Sequence, residues 1–317
     1  MKNQANRKLI SNTVFLYLMT TSIQILNLLT VPYLSRVLGP TEYGQIGLAL
    51  GYMAYVQIIL DFGFTLYATK KISENKTDKC KIEYIITAVT FIKVILAVCL
   101  GVVFLLFLYI NVFDVTLMTI LQVYLLGYLI TALLPDFYYR GMENMKSIAL
   151  RTLIVRVLFT LLIFLCVRKK EDIMFVPVCF LVGSILAFII TAADIRWKKQ
   201  ITFRWPGRKY VMSMVRSAFP YFTSRFASTF YQALNVIIIG KIYGTAPEVG
   251  YYTSSDKCLS LVKMGSSPIA DSLYPYMLNH KNYRLIKRLL GFVMPIITVG
   301  VIIIGIYAEP ICEFVFG

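Results

Sequence analysis

The chain has 317 residues, 58% of them apolar, a mean hydropathy of +0.71 and a formal net charge of +16. Soluble domains run about 45–50% apolar, and the excess here lies in continuous blocks long enough to cross about 30 Å of hydrocarbon as helices. A β-barrel, whose strands alternate over about ten residues, is excluded, and so is nucleic-acid binding, because the cations are spread over separate loops as topology alone demands.

In chain order the predicted spans cover residues 10–36, 43–68, 84–110, 116–139, 147–167, 173–195, 214–240, 249–277 and 289–314. The first run follows Lys2, Arg7 and Lys8 as a signal peptide would. It is too long for an h-region and lacks a small-residue cleavage site, so it reads as a retained span. With the N-terminus in the cytoplasm, that side carries those three cations and the five lysines of residues 70–81. It also carries Arg140, Lys146, the basic stretch 196–216 and the cluster 281–288. The other side keeps only Arg36, Arg168, Lys169, Lys170 and Lys241, and the positive-inside rule sets the orientation. The Arg168–Lys169–Lys170 cluster runs against that rule, and charge alone does not explain it. The expected organisation is an all-α integral membrane protein with three parts. These are a six-helix N-terminal lobe (1–195), a basic cytoplasmic linker (196–213) and a partial second lobe of three helices (214–317).

Several chemistries drop out. The six cysteines are scattered with no CxxC pair, so neither a disulfide framework nor a zinc site is indicated. No Walker-type loop is present. The single histidine, His280, sits beside a basic loop and reads as solvated. Asn75-Lys76-Thr77 matches a glycosylation acceptor but falls in a cytoplasmic loop. No extramembrane segment is large enough for an enzyme domain. The expectation is a transporter with no catalytic residues, cofactor or metal.

A weak internal repeat organises the chain. Arg36-Val37-Leu38-Gly39-Pro40-Thr41-Glu42-Tyr43-Gly44 closes the first span, and 241–250 (Lys-Ile-Tyr-Gly-Thr-Ala-Pro-Glu-Val-Gly) closes the seventh. Each runs from a cation through two bulky apolar residues and Gly to a turn with Pro and Glu, then Gly two residues after the Glu. The offset is about 205 residues, or six spans, which keeps both copies in one orientation, as in parallel transporter repeats. Two such halves need about 410 residues, so the chain is expected to be truncated at its C-terminus.

Residues 37–44, the run into Leu60-Asp61-Phe62-Gly63-Phe64, and Ala68-Thr69-Lys70-Lys71-Ile72-Ser73 together resemble the N-terminal signature of bacterial polysaccharide repeat-unit flippases. Those are the O-antigen, capsule and exopolysaccharide flippases of the multidrug/oligosaccharidyl-lipid/polysaccharide exporter superfamily. Residues 132–141 resemble the end of their fourth span, and Ser217-Ala218-Phe219-Pro220 the start of their seventh. The resemblance implies a MATE-like fold of two six-helix lobes around a cavity. It also implies a place in the bacterial inner membrane and a polyprenyl-diphosphate-linked glycan as the molecule carried from the cytoplasmic to the outer leaflet. Membrane lipids, a polysaccharide polymerase and chain-length proteins are the implied partners. The rival readings are an organic-cation antiporter of the same superfamily, whose cavity should be acidic, and a membrane-embedded glycan polymerase or ligase, which needs a large outer loop.

Charges inside the spans give the candidate site. Lys93, Arg151, Arg156, Arg225, Lys257 and Lys263 fall within predicted spans. An uncompensated charge at the bilayer centre costs at least about 2.5–3.5 kcal/mol, so these side chains should face protein or water. Their expected protein partners are Asp61, Asp256 and Asp271, with Asp136 and Asp194 near cytoplasmic span ends. Cations outnumber these anions, and a lipid diphosphate is a natural counter-anion. Arg156 and Arg225 lie too deep to snorkel easily and are balanced between cavity lining and structural ion pairing. Arg151 and Lys93 are nearer the cytoplasmic end, where snorkelling competes. Lys257 and Lys263 are further cavity candidates, Lys257 not sharing a helix face with the adjacent Asp256, and Asp61 is a coupling or gating candidate whose bland alternative is an ion pair.

Overall fold

A computed structural model describes residues 21–256 except 28, 111–113 and 245–246, with the isolated residues 295 and 298. Lys257, Lys263, Asp271 and most of the last two predicted spans lie outside the described residues. The described chain is helical with no strand. Helix α1 occupies residues 21–38, followed by α2 (Pro40–Asp61), α3 (Phe64–Glu74), α4 (Lys79–Ile110), α5 (Val115–Ala132) and α6 (Asp136–Gly141). Helices α7 (Met145–Cys166), α8 (Phe175–Ala193), α9 (Arg208–Tyr243) and α10 (247–256) complete it. Five segments are long and apolar enough to cross a membrane: Pro40–Glu74, Lys79–Ile110, Val115–Gly141, Met145–Cys166 and Lys170–Lys198. The chain is a multi-pass membrane protein.

Two predicted single spans are each built from two helices. The span expected at 43–68 breaks between α2 and α3, where Phe62 (φ 44°) and Gly63 (φ 74°) adopt left-handed backbone. Gly63 is required there twice. Its φ disfavours a side chain, and a Cβ would sit 2.6 Å from the Phe222 amide nitrogen of α9. The span expected at 116–139 breaks between α5 and α6 at Leu133-Leu134-Pro135. Proline cannot donate to the helix ladder and pushes the preceding residue away from helical geometry. The half-helices α3 and α6 then pack on each other. Pro220, by contrast, lies inside α9 without ending it.

Helix α2 is central: 12 of its 22 residues are buried, against α5 on one side and α9 on the other. Small residues make that approach close. Gly47 faces the Thr253 side chain of α10, and Gly51 faces Val236 of α9. Helix α4 is peripheral and turns Val98, Val102, Val103 and Leu106 outward, as a lipid-facing helix must. The stretch between α8 and α9 lies along α4. The Glu83 carboxylate accepts from the Thr202 amide at 3.0 Å and pairs with Arg204 at 3.1 Å, and Trp205 meets Phe91 edge-on. The Arg168–Lys169–Lys170 cluster forms the turn before α8, with the Arg168 and Lys169 amides both donating to Asp172 at 2.9 Å.

Buried apolar residues form two cores. One gathers Leu38, Ile46, Met53, Leu60, Leu121, Ile163 and Val236; the other gathers Phe64, Ile72, Ile85, Val89, Phe137, Ile148 and Ala218. On α4, α7 and α9 the charged residues Lys93, Arg151, Arg156 and Arg225 fall in sequence between the two cores. The breaks in the α2–α3 and α5–α6 spans fall at the same level.

Candidate functional site

Between α2, α4, the α5–α6 break and α9 lies a cavity of about 380 Å³. Its polar lining includes Gln57, Asp61, Lys93, Asp136, Arg140 and Arg225. Asp61 ends α2 at the mouth of α3. Its Oδ1 accepts a short hydrogen bond from Thr65, and its Oδ2 lies 3.5 Å from Arg225 Nη1. Gly63 and Thr65 line the same wall, so the first turn of α3, with its partial positive charge, opens on the cavity.

The second carboxylate, Asp136, starts α6 and accepts from Arg151 Nη2 at 2.7 Å, while Arg151 Nη1 donates to Thr191 at 3.0 Å. Arg151 is buried and turned to these two partners, away from the headgroups that snorkelling would reach. On α6 the Tyr139 hydroxyl donates to Asp194 at 2.7 Å, which ties that half-helix to the end of α8.

Lys93 is buried on α4 with its ammonium 5.7 Å from the centroid of the Phe137 ring. It feels the fields of Asp61 and Asp136 but forms no ion pair among the described residues. Arg140 Nε is buried with no hydrogen-bond partner there. Both carboxylates are therefore matched to arginines, while Lys93 and Arg140 keep unused donor capacity facing the same space.

The structure brings Lys93, Arg225 and Asp61 together and adds Asp136 and Arg140, which the sequence reading placed at a cytoplasmic span end. The signal for them was Pro135, which stops the helix one residue before Asp136 and turns it into the cavity wall. Arg156 is not part of this group. It lines a second cavity, enclosed by α1, α5, α7 and α8.

Broken membrane helices beside a charged cavity are a feature that known secondary transporters use at their binding sites. The fold is similar to that of a multidrug resistance MATE family transporter of the MOP superfamily solved in an inward-facing conformation. The TM-score is 0.67 at 16% identity, over 93% of this chain and 72% of that one. The chain belongs to the polysaccharide biosynthesis protein family, whose profile matches residues 9–281. It is 28% identical over 278 residues to a protein of Escherichia coli (strain K12) and 22% identical over 280 residues to one of Shigella dysenteriae. Both are named "Putative O-antigen transporter". The alignments cover 83% and 88% of this chain, and the chain spans 63% and 69% of those relatives' lengths.

Proposed function

We propose that this chain carries a polyprenyl-diphosphate-linked oligosaccharide from the cytoplasmic to the outer leaflet of the bacterial inner membrane, by alternating access of its two lobes. The observation that carries the reading is the cavity's charge balance. Asp61 and Asp136 are matched by Arg225 and Arg151, which leaves Lys93 and Arg140 without an ion-pair partner among the described residues. A diphosphate supplies that anion, with Arg140 offering several fixed N–H donors and Lys93 a mobile point charge. The N-terminus of α3 adds to the same field. An organic-cation substrate fits poorly, because both carboxylates that line the cavity among the described residues are already paired with arginines.

The relatives' names support a polysaccharide-linked substrate, and the MATE-like fold supports rocking lobes over covalent chemistry. With the N-terminus cytoplasmic, the glycine seam of α2 with α9 and α10 lies on the outer side and α3 on the inner side. Asp61, at the break between α2 and α3, is then the coupling or gating carboxylate. The glycan head group is polar and crosses lipid slowly unaided, so a water-accessible path through the lobes is the protein's contribution. A polysaccharide polymerase and chain-length proteins would receive the product.

The test is complementation of a host lacking its own repeat-unit flippase. Lys93→Gln and Arg140→Gln should abolish surface polysaccharide while membrane levels stay within about twofold of the parent, since neither residue anchors an ion pair. Normal polysaccharide in both variants would remove the cationic-cavity reading.

A further inference from the structure

The second cavity has a different chemistry. It measures about 400 Å³ and is walled mostly by apolar side chains such as Phe159 and Phe180. Among the described residues, Arg156 is its one charge without an ion-pair partner. The guanidinium lies 5.0 Å from the centroid of the Phe159 ring, and Nε is buried with no hydrogen-bond partner among the described residues. The other charges on this cavity, Arg151 and Asp136, are paired with each other. Two of its hydroxyls, those of Thr131 and Ser184, are engaged. Thr131 bonds to the Gly127 carbonyl and to Ser184, and Ser184 donates to the Phe180 carbonyl.

An arginine does not neutralise by losing its proton. Arg156 is half-buried, its Nε is unsatisfied among the described residues, and a negative group against it would relieve both costs. A phosphate dianion would need more donors than one guanidinium supplies. Apolar walls favour an ion that gives up its water easily. We propose that the cavity between α1, α5, α7 and α8 is a binding site for a small, weakly hydrated monovalent anion such as chloride or nitrate, held by Arg156.

The site is distinct from the cavity of the proposed transport function and does not depend on that reading. It is nevertheless adjacent. Thr131, Leu134 and Asp136, at the α5–α6 break, line both cavities.

The test uses the purified 317-residue chain at constant ionic strength, with sodium gluconate replaced stepwise by sodium nitrate. A saturable rise in melting temperature of about 2–4 °C is expected, absent in Arg156→Gln and retained in Arg225→Gln. An equal rise in Arg156→Gln, or no difference between the salts, overturns the site. Should Arg156→Gln fail to insert, Arg156→Lys decides, because a point charge replaces the fork. Its half-saturating nitrate concentration should rise by about fivefold or more, and an unchanged value overturns the site. Calorimetric titration of the parent chain with nitrate is independent of any variant. Saturable heat supports the site, and its absence overturns it whatever the transport assay shows.

Discussion

Gly44 of α2 and Gly250 of α10 meet backbone to backbone: a Cβ on Gly44 would stand 2.7 Å from the Gly250 amide nitrogen. Each glycine lies two residues after the glutamate of its copy of the internal repeat. The two copies therefore touch through equivalent positions, and Gly250 also closes on the Pro40 carbonyl. The same face of α2 continues the close approach through Gly47 and Gly51, which makes a seam of small residues.

At Gly44 the seam should not tolerate a side chain, because the obstructing atoms are the backbone of Val249 and Gly250 and cannot rotate away. Gly44→Val is expected to cost about 1–3 kcal/mol as overpacking and to part α2 from α10. The check is labelling of a cysteine at Val249, which is 1% exposed in the parent, by a membrane-impermeant maleimide. Its rate should rise in the Gly44→Val background. An unchanged rate would show that the seam absorbs the methyl groups.

Arg151 and Asp136 form the most enclosed ion pair among the described residues, with side chains 8% and 31% exposed. Removing one partner strands the other, and Arg151→Ala should destabilise the protein by about 3–5 kcal/mol. Membrane level and thermal half-inactivation in detergent report it. A wild-type melting profile for Arg151→Ala would mean that water already solvates Asp136.

Much of this architecture was legible from hydropathy, because a membrane demands continuous apolar helices and the five long spans are nothing else. The breaks were harder to read. Pro135 and the Phe62-Gly63 pair sit inside apolar runs, and hydropathy windows average over them. Asp61 and Asp136 therefore looked like an interior residue and a span end, when both sit at helix junctions on one cavity. Lys93, Arg225 and Arg156 were recognisable as buried cations, but only the fold separates Arg156 into its own chamber. The partition depends on which faces of α5 and α7 meet, and a span that is apolar all round does not reveal its faces. Glu83 was missed because it lies at the start of a strongly apolar helix, while its partners come from a linker over 100 residues away.

Asp61 and Arg225 are a looser pair, 3.5 Å apart with the arginine about half exposed. Its contribution to stability should stay within about 1 kcal/mol. Asp61→Asn and Arg225→Gln should therefore leave membrane levels close to the parent. If Asp61 gates the junction of α2 and α3, surface polysaccharide should fall about tenfold or more, which is about 1.4 kcal/mol on the rate-limiting barrier. Transport at the parent rate in Asp61→Asn would reduce the pair to a fastening.

Glu83 holds the stretch after α8 against α4 through one amide and one guanidinium. Glu83→Ala leaves both donors unmatched and should free that stretch. Trypsin applied to inverted membrane vesicles should then cut at Lys198, Lys199 or Arg204 several-fold faster than in the parent. Equal cleavage rates would mean that the Trp205–Phe91 contact and the Arg204 amide's hydrogen bond to Thr87 suffice.

The most direct measurement is a reversible lock across the seam. A Cβ on Gly51 would lie 3.5 Å from Val236 Cβ, within the range that a disulfide spans. Gly51→Cys with Val236→Cys, in a background with the six native cysteines replaced, should cross-link on oxidation and join α2 to α9. Alternating access needs these helices to part, so the oxidised protein should stop exporting lipid-linked oligosaccharide in proteoliposomes and resume after reduction. Undiminished export by a fully cross-linked protein would contradict movement across the α2–α9 seam, and with it the transport mechanism proposed for this chain.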